Sequence, residues 1–213
     1  MPALDTTIAA LSIAGVVVFA AAGALTASRK QMDPVGFILI AALTAFGGGT
    51  TRDVLLGAPV FWLRTPELVA LAAGVALLVF FTAHLAERRF VWLLWADAVG
   101  LGIFAVLGAD AALREGASPW AAILLGVITA TFGGVIRDVV CDEIPLILRK
   151  EIYATAAAFG AGAFMTLHAL GVERVAALGI GAALGFGLRA AAILRGWSLP
   201  TYRARPGRDY PER

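Results

Sequence analysis

Two stretches of the chain are near copies: Thr44-Ala45-Phe46-Gly47-Gly48-Gly49-Thr50-Thr51-Arg52-Asp53-Val54 and Thr129-Ala130-Thr131-Phe132-Gly133-Gly134-Val135-Ile136-Arg137-Asp138-Val139. Glycine lacks the side chain that restricts a helical backbone, so each run predicts a kink or an unwound turn. An arginine and an aspartate follow at once. Ionisable residues are costly in hydrocarbon and usually face a bundle interior or a polar pathway. Carbonyls freed by a helix break are likewise tolerated only inside protein or beside water. Both segments are therefore expected to border a cavity.

The rest of the chain shows that the solvent is lipid. It has 213 residues, of which 60% are hydrophobic and 15% charged, and its mean hydropathy is +0.86. Soluble domains carry about 25% charged residues. A helix crossing the bilayer needs about 20 apolar residues, and seven such runs are predicted, at 8–27, 34–50, 67–86, 91–113, 119–136, 151–170 and 174–194. The short alternating segments of an outer-membrane barrel are missing. The expectation is an all-α integral membrane protein with one transmembrane domain, 1–196, and a basic cytoplasmic tail, 197–213. The first span is expected to be a retained helix, since no basic segment precedes it.

The copies belong to a longer repeat. A shift of 85 residues (19 to 104) aligns Phe19 with Phe104, Gly23 with Gly108, Arg29 with Arg114, Pro34 with Pro119 and Thr44 with Thr129. The same register aligns Gly48 with Gly133, Gly49 with Gly134 and Arg52-Asp53-Val54 with Arg137-Asp138-Val139. Repeat one covers about 8–86 and repeat two about 91–171. Each holds three spans, an odd number, so the second enters from the opposite side and the repeats are inverted. The seventh helix, 174–194, is an addition.

Adjacent residues on a helix do not share a face. Arg52 and Arg137 are therefore expected to pair across the repeat or reach water rather than bond Asp53 and Asp138. The competing reading sets both motifs at helix ends, with arginine snorkelling into the headgroup layer. Symmetric recurrence favours a pathway. Cations would then meet backbone carbonyls at Gly47, Gly48, Gly49, Gly133 and Gly134, the hydroxyls of Thr50, Thr51, Thr129 and Thr131, and the carboxylates of Asp53 and Asp138. Arg52 and Arg137 would act as gates or structural locks.

Alternating connections put Arg29, Lys30, Arg88, Arg89, Arg137, Arg149, Lys150, Arg189, Arg195 and the tail arginines on one side. Arg52, Arg64, Arg114 and Arg174 fall on the other. The positive-inside rule then sets the N-terminus outside and the C-terminus in the cytoplasm, near anionic lipid. Lipid contact explains the basic tail more simply than nucleic acid does. Trp62, Trp92, Trp95, Trp120 and Trp197 are expected as interface anchors.

The remaining polar residues are open to several readings. Asp97, which the repeat aligns with Ser12, is either a buried functional acid or an interfacial one. Asp110 is read as interfacial. His84 and His168 lack metal-ligand spacing, and lone Cys141 offers no cluster. The stripe Gly179, Gly181, Gly185, Gly187 serves packing within the protomer or between copies. No cofactor, metal site or catalytic constellation is expected.

These motifs, with Phe-Ala-Ala-Ala-Gly at 19–23 against Phe-Ala-Val-Leu-Gly at 104–108, resemble the bacterial members of the trimeric intracellular cation channel family. Such sequences have also been labelled glycine transporters. The resemblance covers about 8–194. It implies a homotrimer of seven-helix protomers, each with its own pore at kinked second and fifth helices, passing monovalent cations, chiefly potassium, across a bacterial inner membrane. The basic-acidic-valine pattern of animal relatives carries onto Arg52-Asp53-Val54 and Arg137-Asp138-Val139. Phe132 stands where Gly47 does in the first copy, so the two kinks need not be equally soft. The alternative function is secondary transport of a small solute such as glycine.

Overall fold

The computed structural model describes residues 2–86, 88–200 and 202, so most of the predicted tail lies outside the described residues. Seven helices follow one another: α1 (Pro2–Arg29), α2 (Pro34–Leu56), α3 (Glu67–Thr82), α4 (Arg89–Arg114), α5 (Pro119–Val140), α6 (Ala154–Ala169) and α7 (Arg174–Arg195). Short 3-10 turns at Phe61–Leu63, Ala83–Leu85 and Leu146–Leu148 complete the chain. Each of the seven expected runs forms a helix. Among the described residues, six are long and apolar enough to cross a membrane.

The one that falls short is α6, with 16 residues; α3 has as many, but the 3-10 turn Ala83–Leu85 carries it on to 19. The expected span begins at 151, but Glu151, Ile152 and Tyr153 are drawn off the helix. Arg189 of α7 donates to Glu151 Oε2 at 2.6 Å and to the Ile152 carbonyl at 3.2 Å. Its guanidinium also lies 5.2 Å from the Tyr153 ring centre. Arg189, assigned by sequence to a charged surface, is 1% exposed. A buried arginine needs such partners, and obtaining them shortens the helix.

Local chemistry sets the ends of α2 and α5 alike. Asp33 accepts from the Gly36 amide at 2.7 Å and Pro34 opens α2; Ser118 and Pro119 do the same for α5. A side-chain acceptor followed by proline is a strong helix start. Both helices are followed by a left-handed residue, Gly57 at φ 64° and Asp142 at φ 51°, 85 positions apart.

The interior is built mainly from alanine and glycine, with Ala20, Ala24, Ala27, Ala105, Ala109 and Ala112 all fully buried. Lipid gives little hydrophobic drive between helices, so close packing of small residues supplies the cohesion. α1 and α4 meet at the centre, where the rings of Phe19 and Phe104 pack tilted against each other with centres 5.0 Å apart. Contacts then repeat in the 85-residue register. A side chain on Gly15 would strike Phe104, and one on Gly100 would strike Phe19. Gly23 abuts Thr44 as Gly108 abuts Thr129. α7 stands outside this scheme, packed on α4 and α6. Of its glycine stripe, Gly181 and Gly185 lie against Gly160, whereas Gly179 and Gly187 border open space.

Asp110, read from the sequence as interfacial, is fully buried in the protein. Arg174 Nε donates to it at 2.6 Å, and Arg114 Nε lies 3.2 Å from its other oxygen. This ties the start of α7 to α4. Asp110→Asn is expected to lower stability by about 1–2 kcal/mol, the worth of a charged hydrogen bond with solvent-reached partners. Thermal unfolding in detergent measures it.

Candidate functional site

α2 and α5 cross in the middle of the bundle. Gly48 lies against the Thr129 carbonyl, and Gly133 lies against the Thr44 carbonyl; any side chain there would overlap the opposing backbone. This reciprocal pattern belongs to an antiparallel crossing. The expected unwound turns are absent: α2 stays helical from Pro34 to Leu56 and α5 from Pro119 to Val140. The glycines are used for close approach instead, which a continuous helix permits and a side chain forbids.

The threonine hydroxyls mostly turn back onto their own helices. Thr44, Thr51, Thr129 and Thr131 each donate to the carbonyl four residues back, at 2.6–2.8 Å. Thr50 instead accepts from Trp62 Nε1 at 2.9 Å. Trp62 also stacks on Phe46 with ring centres 5.6 Å apart, so it is a packing residue of the bundle and not simply an interface anchor. Gly47, Thr50 and Thr51 line an apolar groove of ≈ 450 Å³ on the outer side of α2, apart from the arginines. Phe132 is 37% exposed, so this departure between the two motifs lies away from the crossing.

Arg52, Asp53, Arg137 and Asp138 are all buried. Each arginine bonds its own neighbour, contrary to the expectation from helix faces. Arg52 donates from Nε and Nη2 to Asp53 Oδ1 at 2.8 and 2.7 Å. Arg137 donates from Nε to Asp138 Oδ1 at 2.7 Å. A guanidinium on three methylenes can fold back where shorter side chains cannot. The aspartates are held in place by the following turns: Asp53 Oδ2 accepts from the Phe61 amide at 2.9 Å and Asp138 Oδ2 from the Leu146 amide at 3.1 Å. Both bonds span eight residues.

The halves then differ. Arg137 gains a second carboxylate, donating from Nη1 to Asp97 Oδ1 at 3.0 Å. Arg137 and Asp97 are 0% and 1% exposed, deep burial that only paired charges tolerate. Gly134 lets the helix pack close to them: a side chain there would lie 3.2 Å from Tyr153 Oη and 3.4 Å from both Arg137 Nη2 and Asp97 Oδ1. Arg137 Nη2 makes no hydrogen bond among the described residues. Sequence reasoning left Asp97 undecided and missed Tyr153 and Arg189. An apolar helix interrupted by one charge, as α7 is by Arg189, was the available signal. His84 and His168 are exposed, and the described residues contain no cluster that could hold a metal. Cys141 is buried at the end of α5, and burial raises its thiol above the usual range.

A helical membrane protein whose centre is an antiparallel glycine crossing flanked by buried, neutralised Arg-Asp pairs is of the channel or transporter class. The family model described as "Glycine transporter" matches residues 9–84 and 94–169. The UPF0126 membrane protein of Vibrio cholerae is 40% identical over 94% of this chain and 85% of its own length. The UPF0126 inner membrane protein YadS of Escherichia coli is 40% identical over 90% of this chain and 94% of its own. Among solved structures, the trimeric intracellular cation channel orthologue from Rhodobacter sphaeroides is 51% identical, with a TM-score of 0.87 over 90% of this chain and 100% of that one. The chain belongs to the bacterial trimeric intracellular cation channel family, the group these glycine-transporter and UPF0126 descriptions also cover.

Proposed function

We propose that this protein is a monovalent cation channel, passing chiefly potassium through a pore in each protomer at the interface of α1, α2, α4 and α5. The observation that carries the reading is the pair of buried arginines beside the glycine crossing, each held by its neighbouring carboxylate. An unpaired arginine would repel cations, and neutralisation removes that barrier. Tyr153, Arg137 and Asp97, gathered around Gly134, supply polar groups at depth.

In this reading the two halves are inverted repeats, supported by equivalent contacts 85 residues apart and by the antiparallel meeting of α2 and α5. The protomers form a homotrimer in the bacterial inner membrane, with the N-terminus outside. Arg29, Lys30, Arg89 and Arg149 gather at one end, around Glu143, Ser28 and Phe90. That end faces the cytoplasm and anionic lipid.

The test is a planar bilayer holding purified protein under a potassium chloride gradient. Discrete potassium-selective currents are expected. Their reproducible absence, together with saturable, gradient-coupled glycine uptake, would replace the channel with the transporter that the family description names. Arg52→Ala is expected to change conductance or open probability several-fold, about 1 kcal/mol in barrier terms, in protein that still assembles. Unchanged currents would remove Arg52 from the gate.

A further inference from the structure

The halves diverge most tellingly at one position beside the arginines. In the second half residue 97 is aspartate, and its carboxylate binds Arg137. The equivalent residue in the first half is Ser12 (12 + 85 = 97). Serine stops short of where a carboxylate would reach. A cavity of ≈ 120 Å³ lies there, lined among others by Ser12, Gly49, Arg52, Phe61, Phe104 and Arg114.

Two arginines border this cavity and no described carboxylate does. Glu67 lines the adjoining groove, which shares Ser12 and Phe61 as a wall, but it is exposed and so screened by solvent. Each arginine at the cavity has one carboxylate partner, Arg52 with Asp53 and Arg114 with Asp110. Arg137 has two, Asp97 and Asp138. Both described bonds of Arg52 run from Nε and Nη2 to Asp53, leaving Nη1 as a donor for another acceptor.

We propose that this cavity binds a small monovalent anion, of the size of chloride or formate, which serves Arg52 as the Asp97 carboxylate serves Arg137. The second half thus carries a covalent counterpart of the ligand. The volume exceeds that of a single water several-fold, and a partly desolvated guanidinium gains most from an acceptor that is itself charged. Bound anion holds Arg52 in place; its release frees Arg52 to move, which makes anion concentration a control on that half of the molecule. The assignment rests on charge and volume, so it stands whether the protein conducts or transports.

The test uses purified full-length protein in detergent at constant ionic strength, with potassium gluconate replaced stepwise by potassium chloride or potassium formate. Gluconate, much bulkier than chloride or formate, serves as the reference anion. With a Kd of about 10 mM, about 0.1 M chloride or formate is expected to raise the wild-type Tm by roughly 3–6 °C. Ser12→Asp, which supplies the carboxylate covalently, is expected to abolish the rise, and Arg114→Gln to reduce it. Should Ser12→Asp fail to assemble, Ser12→Leu fills the same space without charge and is also expected to lose the response. A response to one of the two anions alone supports the site and fixes its size preference. No response in wild type, or an equal response in wild type and the Ser12 variants, overturns the proposal. Absent potassium currents beside an intact chloride response would count against the channel reading and not against the anion site.

Discussion

Arg137→Ala is expected to destabilise the protein by about 3–5 kcal/mol, the usual cost of removing one partner from a buried charge cluster. The loss of the guanidinium leaves Asp97 almost fully buried with a lone negative charge. Asp138 keeps only the Leu146 amide among the bonds described for it. Arg52→Ala removes a guanidinium whose side chain is 10% exposed and bound to one carboxylate, so a smaller cost of about 1–2 kcal/mol is expected. Unfolding of both variants in detergent, followed by circular dichroism, compares them directly. Adding Asp97→Asn to Arg137→Ala should restore part of the loss, since it removes the uncompensated acid. Equal costs for the two arginines, or no recovery in the double variant, would contradict the assignment of Asp97 as the partner that fixes Arg137.

Gly48→Leu and Gly133→Leu are the second pair of large effects. A side chain at either position meets the backbone of the opposite helix, and backbone cannot move aside as a side-chain tip can. Each is expected to cost about 3 kcal/mol or more, at the upper end for overpacking. Gly179→Leu, at a position where a β-carbon would meet no described atom within 4 Å, is the control and should fall within about 0.5 kcal/mol of wild type. Potassium flux into vesicles at equal protein loading then separates folding from function. A tolerated Gly48→Leu with wild-type flux would show that α2 and α5 need not cross so closely.

Membership of the membrane class, the number of helices and the register of the two halves were legible because they rest on local properties. An apolar run of the right length reports its solvent, and Pro34 and Pro119 report helix starts from the sequence alone. The repeat was legible because Phe, Pro, Arg and Asp recurred at one spacing, where alanine and glycine by themselves would have meant little. The pairing of Arg52 with Asp53 was not legible. The rule that neighbours on a helix face apart is sound for short side chains, but it ignores the arginine's reach and the turns that hold each aspartate through Phe61 and Leu146.

The sequence by itself determined that this protein lives in lipid, that it consists of two related three-helix halves and a seventh helix, and that an Arg-Asp pair follows each of two glycine runs. Tertiary structure decided what those features do. It turned the glycines from expected breaks into a close crossing, because only the opposing carbonyls of Thr44 and Thr129 show that the space a side chain would fill is already taken. It likewise gave Arg137 a second carboxylate from α4 and left Arg52 beside a cavity, because the partner of a buried charge comes from another helix and no local pattern names it.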